Sequence, residues 1–340
     1  MLPAFDSGGV HHETARIACA ILADCKWDGY FSLTRDGVRL EDAGADTILT
    51  APQYYFFLEP PPAACTDSEP HPAVLSFDHF TCPAVLPPSW STPSLDIGPS
   101  RSERVTDRDE TCRITSWSIP LEIAHIVPLA ESEWWRRNRM ALVARRPEAS
   151  SETNCVENAL LLREDVHTLW DRHKFCIIPK AGRWAVHVID NATTRELEVA
   201  YHNIPLQPLL QVSPTYLLVR FALGIFVAKP AFIKLALRPR RVVKVDENNQ
   251  KSIQTLSSSQ CRLELKRPKP QSQYSSLSPS KSTSTSPSKR PRGVADRDGG
   301  RVRGPKRSRN WEAEQWGDDL WDDSQYNSSA PDKEARGGRR

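Results

Sequence analysis

The chain has 340 residues, with 45 Lys and Arg against 42 Asp and Glu, enough for one to three domains. A net charge of +3 is too small to single out nucleic acid as a partner, and an apolar fraction of 39% leaves part of the chain short of the hydrophobic surface that folding requires. No run of about 18 uncharged apolar residues occurs, which argues against a membrane span; the best candidate, residues 216–228, is short and carries Arg220. The first residues lack a basic leader before an apolar run, so no secretory signal is expected. The eight cysteines are scattered and form no CxxC pair. That pattern suits an intracellular chain with reduced thiols and no zinc knuckle, and no local feature marks a thiol as a nucleophile.

In chain order, residues 1–60 read as a small folded α/β segment. A helix is expected over 15–23 and aromatic strands over 30–33 and 54–58. Residues 61–107 are dense in Pro and Ser and read as a linker or long loop. Residues 108–235 form a second folded part with a helical extension. It holds a strand over 119–127 ending at a turn with Pro128, then a helix over 131–143 bearing Trp134 and Trp135. A helix over 164–171, strands over 175–178 and 184–189, and a helix over 215–227 complete it. Residues 236–265 read as a connecting segment. Residues 266–340, dominated by Ser, Pro, Lys and Arg, read as a disordered basic tail. Three basic clusters in it, the first at Lys266-Arg267-Pro268-Lys269, point to nuclear import. Trp311, Trp316 and Trp321, set among acidic residues, form a candidate peptide for a protein partner.

The chemistry concentrates in two strings: Glu122-Ile123-Ala124-His125-Ile126-Val127-Pro128, and the stretch from Asn158 through Leu160-Leu161-Leu162-Arg163 to His167 and Asp171. Hydrolysis of a phosphodiester needs a base to take a proton from water and a cation on the scissile phosphate. His125, at the end of a strand before a turn, is a candidate base, because a neutral imidazole accepts a proton at physiological pH. His167 and Asp171 stand four apart on a predicted helix, so imidazole and carboxylate share one face and can grip one cation.

These strings resemble the HNH endonuclease family over about residues 110–190, closest to the subgroup common in uncharacterised fungal proteins. Trp27-Asp28-Gly29-Tyr30-Phe31-Ser32-Leu33 resembles the N-terminal part that accompanies that subgroup. The resemblance implies an α+β fold with a ββα-metal nuclease module and a metal-dependent cut in DNA, with RNA open as the alternative, that leaves a 3′-hydroxyl and a 5′-phosphate. It implies His125 as base, Asn158 as the residue that orients it, and His167 as metal ligand. Asp171 is the expected second ligand, with Glu122 ranked behind it. The cofactor expected is a divalent ion, Mg²⁺ first, with Mn²⁺, Ni²⁺ and Zn²⁺ open.

One position departs from the family's pattern: Ala124 stands where many members carry a metal ligand. It keeps open an inactive HNH-fold module that binds nucleic acid or protein; a scaffold acting through the tail is a third reading. Between His125 and Asn158, the cations Arg136, Arg137, Arg139, Arg145 and Arg146, with Arg163 beyond them, are candidate phosphate contacts without a base code. The plainer reading of that stretch is a surface helix with a tryptophan packed inward.

Overall fold

In the computed structural model, residues 2–40, 44–59, 71–91, 104–144, 153–190, 195–228 and 240–264 are described, and all lie in the unit Met1–Lys269. The tail, its basic clusters and tryptophans, and Arg145 and Arg146 fall outside the described residues.

The chain opens with β1 (Val10–His11) and α1 (His12–Leu22). The ring of His11 accepts from the Thr14 N–H and so caps the free end of the helix. Ile17, Ala18 and Ile21, on one face at helical spacing, enter the main core. β2 (Tyr30–Ser32), β3 (Ile48–Leu49) and β4 (Tyr55–Phe57) follow; β1 pairs with β3 and β2 with β4, both antiparallel.

Residues 71–91 correct the expectation of a linker over 61–107 for that stretch. Val74, Phe77, Phe80 and Trp90, the last in α2 (Pro88–Ser91), are core residues. Phe80 stacks on Trp134 with parallel rings 6.0 Å apart, and its carbonyl accepts the Trp134 indole N–H at 2.7 Å. Few aromatic anchors spaced among prolines suffice to bind a segment that has no regular structure of its own.

α3 (Val105–Asp109) leads to β5 (Leu121–His125). The helix expected over 131–143 is interrupted: α4 (Ser132–Arg137) ends and a short 3₁₀ turn begins at Met140. Arg139, left-handed at φ 54°, breaks the α-helix between them. Both tryptophans of α4 point inward, Trp135 stacking on Tyr216 at 4.9 Å.

β6 (Ala159–Arg163) pairs antiparallel with β5, in register from Leu121 opposite Arg163 to His125 opposite Ala159. It runs straight into α5 (Glu164–Asp171). The hairpin β7 (Phe175–Lys180) and β8 (Arg183–Val188) turns through Ala181 and Gly182, both at positive φ, the conformation that a two-residue turn with the twist of its strands requires. α6 (Arg195–Tyr201) packs on β8, and α7 (Pro214–Ala228) is buried almost throughout. The segment expected as a connector over 236–265 is structured too. β9 (Arg240–Val245) pairs with β10 (Lys251–Leu256), followed by α8 (Ser258–Glu264). Val242 of β9 bridges to Ala73, and Val243 and Val245 join the main core.

Mixed helices and small two-stranded sheets make the chain α+β. Among the described residues all seven cysteines are free, and no helix is long and apolar enough to cross a membrane.

Candidate active site

The β5–β6 pair and α5 bring His125, His167 and Asp171 together. Every residue of β6 from Ala159 to Leu162 is buried, so the strand is a short apolar run packed on both faces. A carbonyl of the strand end fixes the helix: Trp170 Nε1 donates to the His125 carbonyl at 2.8 Å. A turn earlier on α5, His167 Nδ1 lies 2.8 Å from a Glu122 carboxylate oxygen. The helix is thereby tied to β5 at two points, one on each side of Ala124.

The base candidate His125 is largely buried, and its Nε2 lies 2.9 Å from Asn154 Oδ1. An amide oxygen only accepts, so Nε2 carries the hydrogen and Nδ1 is the nitrogen left to take a proton. Burial lowers the pKa of His125, and the nearby His167 adds to the lowering. Asn154 and the Asp171 carboxylate oppose it without reversing it. The imidazole is therefore neutral, and competent as a base, at physiological pH. It follows that the acid limb of a pH–rate profile falls below the ordinary imidazole value of about 6.5. Asn154→Ala, which removes a partner of the protonated ring, moves that limb further to acid; nicking rates measured between pH 5 and 8 check the direction.

Asn158 is placed differently from expectation. Its amide does not reach the His125 ring. Oδ1 accepts the Val127 N–H at 2.8 Å, and Nδ2 donates to the carbonyls of Val127 at 3.0 Å and Thr153 at 2.8 Å. Its own carbonyl accepts the Ile126 N–H. The side chain acts as a piece of backbone that holds the turn after His125, and the ring itself is held by Asn154. Sequence reading missed Asn154, although a second asparagine one turn before Asn158 was its signal.

His167, with Nδ1–H directed at Glu122, presents Nε2 toward Asp171, whose Oδ2 is 3.4 Å away. A divalent ion with bonds of about 2.1 Å holds neighbouring ligand atoms about 3.0–3.4 Å apart. The pair fits such an ion, and Glu122 supplies the outer carboxylate that commonly fixes the tautomer of a ligating histidine. Glu122 thus sits behind His167. Ala124 is fully buried in the core and offers nothing to a cation.

Arg220 was legible in the sequence only as an interruption of an apolar run. It is 1% exposed on α7. Its guanidinium donates to the carbonyls of Trp170 and Ile126 and lies 4.3 Å from the Trp170 ring centre. Burial pulls its pKa down to about 10, against the raising influence of Asp171 and Glu131, and it stays charged. A lone cation within the otherwise uncharged run 216–228 is the signal that marks such a role. Arg220→Met is expected to destabilise the protein by about 1–3 kcal/mol, the cost of the lost buried hydrogen bonds from a charged donor, read as a lower urea midpoint.

The arginines expected on phosphate separate into two groups. Arg136 and Arg139 are exposed. Arg137 is bonded to the Asp78 carbonyl, and Arg163 forms a two-pronged pair with Asp165 at 2.6 and 2.7 Å, which engages it locally. Burial pushes the Cys155 thiol up to about 11 and those of Cys19 and Cys82 up to about 12, which keeps these three protonated.

The family model for HNH endonucleases matches residues 112–178, and this segment of the chain is similar to that family. Comparison with curated proteins and with solved structures gives no match.

Proposed function

We propose that the segment is a ββα-metal nuclease centre that hydrolyses phosphodiester bonds, with DNA as substrate and Mg²⁺ as the first choice of ion. The observation that carries this reading is the convergence of a neutral, oriented imidazole on a histidine–carboxylate pair at the end of one hairpin.

His167 Nε2 and Asp171 would hold the ion, with Glu122 keeping the His167 ring in place. When bound, the ion supplies positive charge to the scissile phosphate and the leaving oxygen. His125 Nδ1 takes the proton of the attacking water. The hydrogen bond to Asn154 and the Asp171 charge then stabilise the imidazolium. Asn158 and Arg220 hold the carbonyls of Val127 and Ile126, the two residues that follow His125. Arg136 and Arg139, exposed, are the cations open to backbone phosphate. A nuclear location, carried by the basic clusters of the tail, belongs to the same proposal.

Nicking of supercoiled plasmid by the full chain tests it. Activity should require Mg²⁺, Mn²⁺ or Ni²⁺, stop with chelator, and vanish with His167→Ala. Ala124 favours one competing reading, a binding module without catalysis. That reading predicts DNA retention with no nicking under any of the three ions.

A further inference from the structure

Away from the nuclease site, three residues distant in sequence meet in the interior: Asp6 before β1, His187 in β8 and His202 just after α6. One donor atom from each lies within 4.8 Å of the others. We propose that Asp6, His187 and His202 form a second divalent-cation site, of the Zn²⁺ type, that fastens the N-terminal segment to the β7–β8 hairpin.

The observation that points to a ligand is His187. It is fully buried, and among the described residues neither ring nitrogen has a hydrogen-bond partner. Buried polar atoms are nearly always paired, so an imidazole with both nitrogens idle calls for a partner beyond the chain's own groups. Its ring lies 4.9 Å from that of His202 and brings a nitrogen into the cluster. Two imidazoles and one carboxylate are a customary donor set for zinc, leaving one position for water.

Asp6 is the hub of the network around these rings. Its Oδ1 accepts from His202 Nε2 at 3.0 Å, Lys180 Nζ at 2.6 Å and Asn203 Nδ2 at 2.9 Å. Its Oδ2 accepts the His11 N–H at 2.9 Å. In the ion-free chain the Lys180 ammonium supplies the positive charge. When the ion enters, it replaces that ammonium beside Asp6. The long Lys180 side chain then gives up its bonds to Asp6 and Asn203. The His202 proton shifts from Nε2 to Nδ1, which frees Nε2 to ligate and ends the 3.2 Å bond from the Val188 N–H. The proton count on the protein is unchanged. Lys180 is thus a competitor for the site, so removing its charge should tighten the ion.

This inference is independent of the nuclease reading, and one experiment separates them. The full chain is stripped with chelator and titrated with Co²⁺, followed by visible absorption, and with Zn²⁺, followed by thermal melting. The variant His167→Ala/Asp171→Ala should still bind one Co²⁺ per chain with the intense bands of a four-coordinate ion, and Zn²⁺ should raise its melting temperature. His187→Ala should weaken this binding by more than the about 10–100-fold that an outer-shell partner contributes. Lys180→Met should strengthen it, which keeps the test decisive where His187→Ala does not fold. Absence of Co²⁺ from the double variant, unchanged affinity in His187→Ala, or no gain in Lys180→Met would overturn the proposal. Should the double substitution leave the wild-type stoichiometry as it was, the nuclease-site assignment of His167 and Asp171 fails and this one stands.

Discussion

Replacement of His125 by Ala is expected to slow plasmid nicking by about 10²–10⁴-fold, the usual contribution of a positioned general base. The loss should fall on turnover rather than on DNA affinity, since in the proposed reaction the ring takes a proton in the transition state and does not grip the substrate. Divalent-ion affinity should hold, because the ligand pair sits on α5 and is oriented by Glu122, not by His125. Single-turnover nicking, with ion binding measured separately, checks both halves. A fall in ion affinity equal to the fall in rate would place His125 among the ligands instead. The fold should survive, since the anchors of this strand end are the His125 carbonyl and the Asn158 amide, and both outlast the substitution.

The largest effect on stability is expected from Asp109→Ala. Arg108 and Asp109 are neighbours on α3, both buried, and their side chains form a two-pronged pair at 2.6 and 2.8 Å. The guanidinium also donates to the carbonyls of Val156 and Ala159, and Asp109 Oδ2 accepts the Leu161 N–H. The two charges therefore hold the start of β6 and the turn before it. Truncating Asp109 leaves Arg108 as an uncompensated buried cation and strips a strand N–H of its acceptor. Breaking such a pair costs about 3–5 kcal/mol, which for a unit of this size lowers the melting temperature by roughly 10 °C. Asp107→Ala, on the exposed side of the same helix, should stay within about 0.5 kcal/mol of wild type. Equal losses in the two variants would refute the clamp.

What sequence reading reached follows from how local each signal is. The α5 helix was readable to the residue, because Val166, Leu169 and Trp170 alternate with polar residues at helical spacing. The β7–β8 hairpin was readable from its turn. His125, His167 and Asp171 stood out because each lies in a short string whose chemistry is self-contained. Other features depend on partners remote in the chain and leave little local trace. Ala159–Leu162 has no alternation, since both faces of β6 are buried, and it was not singled out as a strand. Phe77, Phe80 and Trp90 sit in prolines and small residues, where composition suggests a linker. The break at Arg139 is a backbone event that periodicity does not register. Asn158 was linked to the right strand but to the wrong atoms, because an asparagine amide bonds equally well to a ring or to a backbone. Asn154 and Arg220 act on the same few atoms from a loop and from a distant helix, and only three-dimensional proximity reveals them.

The aromatic cover over Trp134 has a practical corollary for anyone cutting the gene. The family-matched stretch holds His125, His167 and Asp171 but not its own roof and floor: Phe77 and Phe80 come from before it, Tyr216 and Arg220 from after it. Excised at its matched boundaries, that stretch would lay Trp134, Trp135 and Trp170 bare to water and would aggregate. The shortest piece worth expressing runs from the first residues through α8.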